Sequence, residues 1–354
     1  MELILSRVPA RSVARWRMVC TSWKLHLTSP EFLKLHTERG EARALVIGSS
    51  LNFHYLKFNL DGKIKGTGLF GLNAGIGDEL RVHNSSYGLF LVSSKIDIPS
   101  NFYVVNLCTG ELRKIVCPIS SGERVVTASL CFQPNRNMSY RLLFLVETTI
   151  GMDHNCYNVI LYSSYGRRWS STPAPTVKFQ GGVFHKEILY WITDVQGQAL
   201  TFHLETKNWA TISLPETPTN RFCRPRLVAS NNFLHYFITR NSIEDLCVYE
   251  MTDSGGWIQK FKVEFSFLKT NEKPLAKKLS NFPRTHINVL SVLRDAKGGR
   301  PRIIILVQGF VTCYDPEKQQ HMFLNLERRF PVRGADVSGG DVEAFEVTDS
   351  LVPV

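Results

Sequence analysis

Apolar positions along this chain of 354 residues recur with two different periods, and the change falls near residue 40. Up to His36 they come at steps of three and four. Val13, Trp16, Val19, Cys20 and Trp23 would all lie on one face of a helix. Pro9 breaks the chain ahead of this run, and Ser29-Pro30 reads as an N-cap and first-turn proline for a further helix carrying Phe32, Leu33 and His36. The pattern predicts a helical remnant, a helix and a second helix. After a charged link at 37–43, short β-branched and aromatic runs take over, separated by Gly, Pro, Asn and Ser, with no helical period to the end. The expected organisation is a small helical module at 1–43 followed by a β domain at 44–354.

The β region repeats itself. An apolar strand, a polar turn and a Trp or Leu opening the next strand recur from Tyr103 to Leu112, Val159 to Trp169, Leu200 to Trp209 and Leu246 to Trp257, with a fifth copy around Val311–Asp315. Simpler strand pairs such as Gly182–Phe184 with Ile188–Ile192 fill the intervals. Trp169, Trp209 and Trp257 return at steps of roughly 40 and 48 residues, the length of a four-stranded propeller blade. The expected fold class is therefore mainly β with a small α-helical N-terminal module, the β part a degenerate β-propeller. The alternative, a large β-sandwich, explains the alternation but not the returning hairpin.

Composition narrows the function classes. With 44% hydrophobic and 21% charged residues, the chain can bury a large core. The net charge of +11 would suit an acidic partner or nucleic acid. Its basic residues are dispersed, however, apart from Arg7, Arg11, Arg15 and Arg17 near the start and Lys273, Lys277 and Lys278 in one loop, which argues against a nucleic-acid stripe. No apolar run matches a signal peptide or reaches the roughly 18 residues that span a bilayer, so no membrane association is expected and the cytoplasm or nucleus is the expected location. The eight cysteines form no Cys-x-x-Cys pair and mostly sit in apolar runs, as reduced, buried residues do. The glycosylation-like triplets at Asn84 and Asn137 would then be inert.

Candidate chemistry is sparse. Gly66-Thr67-Gly68-Leu69-Phe70-Gly71 fits a dinucleotide-binding fingerprint, but more glycine-rich chain follows where a helix should open, so a loop between early strands is expected. Asp153-His154-Asn155-Cys156 could offer metal ligands but lacks a second pair at matching spacing, and again a loop is expected. His203 and His235 lie in strand runs and read as sheet residues. No cofactor or intrinsic active site is expected. Binding remains, and two insertions stand out: 215–225, with Arg221, Phe222 and Arg224 as candidate substrate contacts, and 269–284.

The opening blocks, Ile4-Leu5-Ser6-Arg7-Val8-Pro9, Ser12-Val13-Ala14-Arg15-Trp16-Arg17, Val19-Cys20-Thr21-Ser22-Trp23 and Pro30-Glu31-Phe32 with His36, resemble an F-box. The chain starts inside the family's first helix, and Thr21 stands where the family usually has lysine. Residues in the β region resemble the F-box-associated domain of plant F-box proteins: Leu130–Pro134 with Tyr140–Leu143, Tyr162–Trp169, Gly182–Phe184 with Leu189–Trp191, and Phe345–Pro353. The resemblance implies a three-helix module that docks on a Skp-family adaptor, and through it a cullin, with contacts at Ile4, Leu5, Val8, Pro9, Val13, Cys20 and Trp23. It further implies a shortened first helix, a complete C-terminus, and a kelch-like β domain recruiting a protein substrate to an SCF ubiquitin ligase without catalysis of its own. Two alternatives stand beside it. One is a propeller that binds or transforms a small molecule, with the helices a mere cap. The other is a truncated F-box protein that binds substrate without delivering it.

Overall fold

The computed structural model describes residues 2–39, 42–49, 52–58, 64–70, 80–94, 101–132, 138–150, 154–217, 225–230, 233–240, 245–264, 287–293, 302–307, 310–324, 343–348, 351–352 and 354. Four short helices come first: α1 (Glu2–Leu5), α2 (Ala10–Trp16), α3 (Thr21–Leu27) and α4 (Pro30–Arg39). The single middle helix expected from the Val13-to-Trp23 spacing is thus two helices. Cys20 takes an extended conformation (φ −160, ψ 166), and its Sγ accepts from the Trp23 amide at 3.5 Å, so the residue that would continue α2 instead caps α3. The break moves Val19 and Cys20 into solvent while Val13 stays fully buried.

The strands follow in chain order as β1 (Ala42–Ser49), β2 (Asn52–Phe58), β3 (Ile64–Phe70), β4 (Leu80–Ser86), β5 (Leu89–Ser94), β6 (Asn101–Asn106), β7 (Leu112–Val116), β8 (Glu123–Phe132), β9 (Tyr140–Ile150), β10 (His154–Ser163) and β11 (Arg168–Ala174). Then come β12 (Phe179–His185), β13 (Ile188–Thr193), β14 (Gln198–His203), β15 (Trp209–Ser213), β16 (Arg226–Ser230), β17 (Phe233–Arg240), β18 (Asp245–Met251) and β19 (Trp257–Glu264). The last are β20 (Ile287–Leu293), β21 (Arg302–Val307), β22 (Phe310–Asp315), β23 (Gln320–Leu324) and β24 (Glu343–Thr348). Among the described residues they form six four-stranded sheets, five of them simple meanders; in the sixth the order is β24-β1-β2-β3, so a strand from the far end of the chain joins the first three. Each is a propeller blade, and the propeller expectation holds: a sandwich would split the strands between two facing sheets.

The chain divides into two compact units, 1–176 with 344–354, and 177–343. In the first, β4 runs beside β8, and Asn84 of β4 both donates to the Leu130 carbonyl (3.0 Å) and accepts from the Leu130 amide (2.7 Å). Asn84, read as an inert glycosylation triplet, thus fastens first strand to first strand. In the second unit β12, β16 and β20 are neighbours in turn, and the Ser230 hydroxyl donates to the Val292 carbonyl across β16 and β20.

The recurring hairpin is the third and fourth strand of a sheet. Tyr162 pairs with Trp169 (ring centroids 4.8 Å apart), Phe202 with Trp209 (4.7 Å), Met251 with Trp257 and Val105 with Leu112. A directly opposed large pair is the unit of sheet stabilisation, which is why the anchor returns in these four sheets. Two expected loops are strands instead. Gly66 and Gly68 lie in β3, opposite Lys57 and Tyr55, so the glycine fingerprint is spent on a hairpin arm; His154–Cys156 open β10 opposite 148–150. The hydrogen-bonded ladder outweighs the weak strand propensity of glycine and asparagine.

Candidate functional site

The helical module buries some of its large apolar side chains and leaves others in solvent. Leu5, Ala10, Val13, Leu27, Phe32 and Leu33 are buried, in one core with Leu89, Phe102, Leu130, Phe144 and Leu351 of the same unit. Trp16 and Trp23 meet edge to face at 5.7 Å and cover that core from α2 and α3. The Ser29 hydroxyl accepts from the Phe32 amide (3.2 Å), starting α4 as the Ser-Pro pair predicts. His36 reaches back across the module, its Nε2 2.9 Å from the Val8 carbonyl, and Arg17 donates to the Leu27 carbonyl at 3.3 Å. Burial pulls the Arg17 guanidinium below its ordinary pKa, with the Glu111 carboxylate opposing the shift.

Several large apolar side chains of the module stand in solvent: Ile4 (73% exposed), Met18 (80%), Val19 (68%) and Leu25 (69%). Isolated exposed leucines are ordinary, but four large exposed apolar residues within one short helical module are more than such a module commonly leaves in solvent. Arg7, Arg11, Arg15 and Lys24 are exposed on the same helices and turns, and so is the acid Glu31.

The seven residues singled out from the sequence divide accordingly. Ile4, Pro9 and Cys20 are exposed, Val8 and Trp23 half-buried, and Leu5 and Val13 buried. Met18 and Leu25 were missed because both fall off the apolar stripe; the signal available was that a large apolar residue off the core stripe must face solvent or a partner. Arg221, Phe222 and Arg224, and the insertion at 269–284, lie outside the described residues.

The remaining candidates read as architecture. His203 accepts at Nδ1 from the amides of Glu205 (3.2 Å) and Thr206 (3.3 Å), and so shapes a turn. His235 is fully buried, its Nε2 3.3 Å from Glu250 Oε2. Burial pushes the Cys117 thiol up to about 12 and the Cys313 thiol to about 11, far from nucleophilic thiolates. Cys20 and Cys156 are exposed, contrary to the general expectation of burial. Among the described residues no group of three or more His, Cys, Asp or Glu could hold a metal ion, and no helix is long and apolar enough to cross a membrane.

A small N-terminal helical module with exposed large apolar residues thus precedes the four-stranded blades. By sequence the chain is a homologue of plant F-box proteins, several of which carry kelch repeats. It is 28% identical over 222 residues to a putative F-box/kelch-repeat protein of Arabidopsis thaliana, covering 60% of this chain and 57% of that protein. It is 26% identical to an F-box/LRR-repeat/kelch-repeat protein of the same plant (60% and 58% covered), and 23% identical over 294 residues to an Arabidopsis F-box protein (74% and 68%). The chain thus spans under two thirds of the length of the first two of these relatives. No protein-family model matches it. Among solved structures, a chain of a nidogen/laminin complex aligns with TM-score 0.46 at 11% identity, over 79% of this chain and 91% of that one.

Proposed function

We propose that the protein is a non-catalytic substrate-recognition subunit of an SCF-type ubiquitin ligase, its N-terminal helices docking on a Skp-family adaptor that links it to a cullin, its blades presenting a protein substrate, in the cytoplasm or nucleus. The observation that carries this reading is the exposure of Ile4, Met18, Val19 and Leu25 in a helical module whose Leu5, Val13, Leu27 and Phe32 are buried. The F-box relatives supply the kind of partner. Ile4, Pro9 and Cys20 would touch the adaptor directly with Met18, Val19 and Leu25, Val8 and Trp23 at the margin, while Leu5 and Val13 would hold the helices in position from beneath. Arg221, Phe222 and Arg224 stay the proposed substrate contacts.

Capture of a purified Skp-family adaptor by the full chain tests the reading. Leu25→Asp and Val19→Asp should each abolish capture and leave the melting temperature within about 2 °C, since both side chains are exposed. Wild-type protein that captures no adaptor, or charge variants that capture it as well as wild type, would sink the proposal.

A further inference from the structure

We infer that Leu351, Val352 and Val354 form a latch that fixes the helical module to the third–fourth strand turn of the sheet β4–β7. Leu351 and Val352, though they follow the far-end strand β24, are 1% and 0% exposed and lie in the same core as Leu5, Val13, Leu27 and Phe32 of the helices. Val354 packs against that core as well. Two polar contacts meet at one turn. Asn106 Nδ2, at the end of β6, donates to the Val352 carbonyl at 2.8 Å in a fully buried bond, and the Val354 amide donates to Glu111 Oε2 at 3.3 Å. Glu111 is also the charge that interacts with Arg17, and Arg17 holds the Leu27 carbonyl of α3.

Leu351, Val352 and Val354 are therefore joined to the helices through their shared apolar core, and to β6 and its turn through Asn106 and Glu111. Asn106 is committed on both sides: its Oδ1 accepts from the amides of Cys108 (2.8 Å) and Thr109 (3.1 Å), which holds the turn in the shape that presents Glu111. No helix of the module exceeds ten residues, so the helices depend on packing for their order. A segment that shares their core and is hydrogen-bonded to the sheet is positioned to supply it. If the helices dock an adaptor, a consequence that rests on the reading above, the latch sets the angle at which the first unit's sheets are held with respect to it.

Hydrogen exchange of the full chain tests the latch. In the double variant L351A/V352A the amides of α2 and α3 should exchange on the order of ten-fold faster, while those of β9 and β10 keep their protection. Glu111→Ala, at an exposed turn position where misfolding is not at issue, should raise exchange of α2 and α3 about two-fold or more. Unchanged helix exchange in both variants, or a rise shared equally by β9 and β10, would overturn the latch. Selective exchange in a chain that captures no adaptor would keep the latch and remove the docking reading alone.

Discussion

At Glu147 three neighbouring strands contribute to one buried carboxylate. Glu147 sits opposite Arg124 on β8 and Tyr157 on β10, accepting from Arg124 Nε at 3.1 Å and from the Tyr157 hydroxyl at 2.9 Å. Burial alone would raise its pKa, but the hydrogen bonds from Arg124 and Tyr157 and the guanidinium charge outweigh it, so the carboxyl lies below its ordinary value. A depressed folded pKa favours the ionised native form, so the stabilisation is complete above the unfolded value of about 4.3 and is lost as pH falls through the lower folded value. Arg124 is 69% exposed and solvent screens it, so Glu147→Gln should cost only about 1 kcal/mol at pH 7 in urea unfolding, shrinking toward pH 3. His185 reports on a higher window. Burial, then Lys186 and His235, lower it to about 4, with Asp253 opposing. A depressed histidine contributes stability that is present above its unfolded value of about 6.5 and lost as pH falls toward 4. The difference in unfolding free energy between wild type and His185→Gln should therefore vary between pH 6.5 and 4 and be flat from pH 7 to 9.

A turn device recurs between the third and fourth strands. Asn106, His203 and Asp315 each accept from the amides two and three residues on, and the residue four on has positive φ: Gly110 (76), Lys207 (57) and Gln319 (52). Only the first of these uses glycine, the residue that suits that conformation. Lys207→Gly should accordingly stabilise the protein, by up to about 1 kcal/mol, because relief of left-handed strain exceeds the added unfolded-state entropy. Gly110→Ala should destabilise it by about 1 kcal/mol through the backbone alone, since a Cβ there meets nothing within 4 Å. Chemical denaturation of the two variants gives both signs. The hairpins were legible from the sequence because their signal is local: an apolar residue and a Trp or Leu about seven apart across a polar turn, as at Tyr162 and Trp169. The helix break was not legible, since Val13 to Trp23 fits one continuous helix and Cys20 is no strong capping residue; its Sγ decides the matter only in three dimensions. The exposure of Met18 and Leu25 follows from that break, and the bond from Asn106 to Val352 spans 246 residues, beyond any periodicity.

For the molecule as a whole, charge decides how the proposed docking should behave. The chain carries +11, and its helical module exposes Arg7, Arg11, Arg15 and Lys24 as well as Ile4, Met18, Val19 and Leu25. In an interface, the desolvated centre supplies most of the affinity and sets the dissociation rate, while rim charges steer encounter over roughly a Debye length, about 10 Å at 0.1 M salt. Ile4, Met18, Val19 and Leu25 would form the centre and the four basic residues the rim. An acidic adaptor surface is the complement this arrangement demands. Its association rate should then fall about ten-fold or more between 0.05 and 0.5 M NaCl while the dissociation rate changes little, as surface plasmon resonance can separate. The triple variant Arg7→Gln, Arg11→Gln, Arg15→Gln should flatten that salt dependence and leave dissociation near the wild-type value. Leu25→Ala should do the reverse, speeding dissociation with the salt slope intact. A salt-independent association rate in the wild type would mean that the basic rim faces solvent in the complex and the apolar residues alone meet the partner.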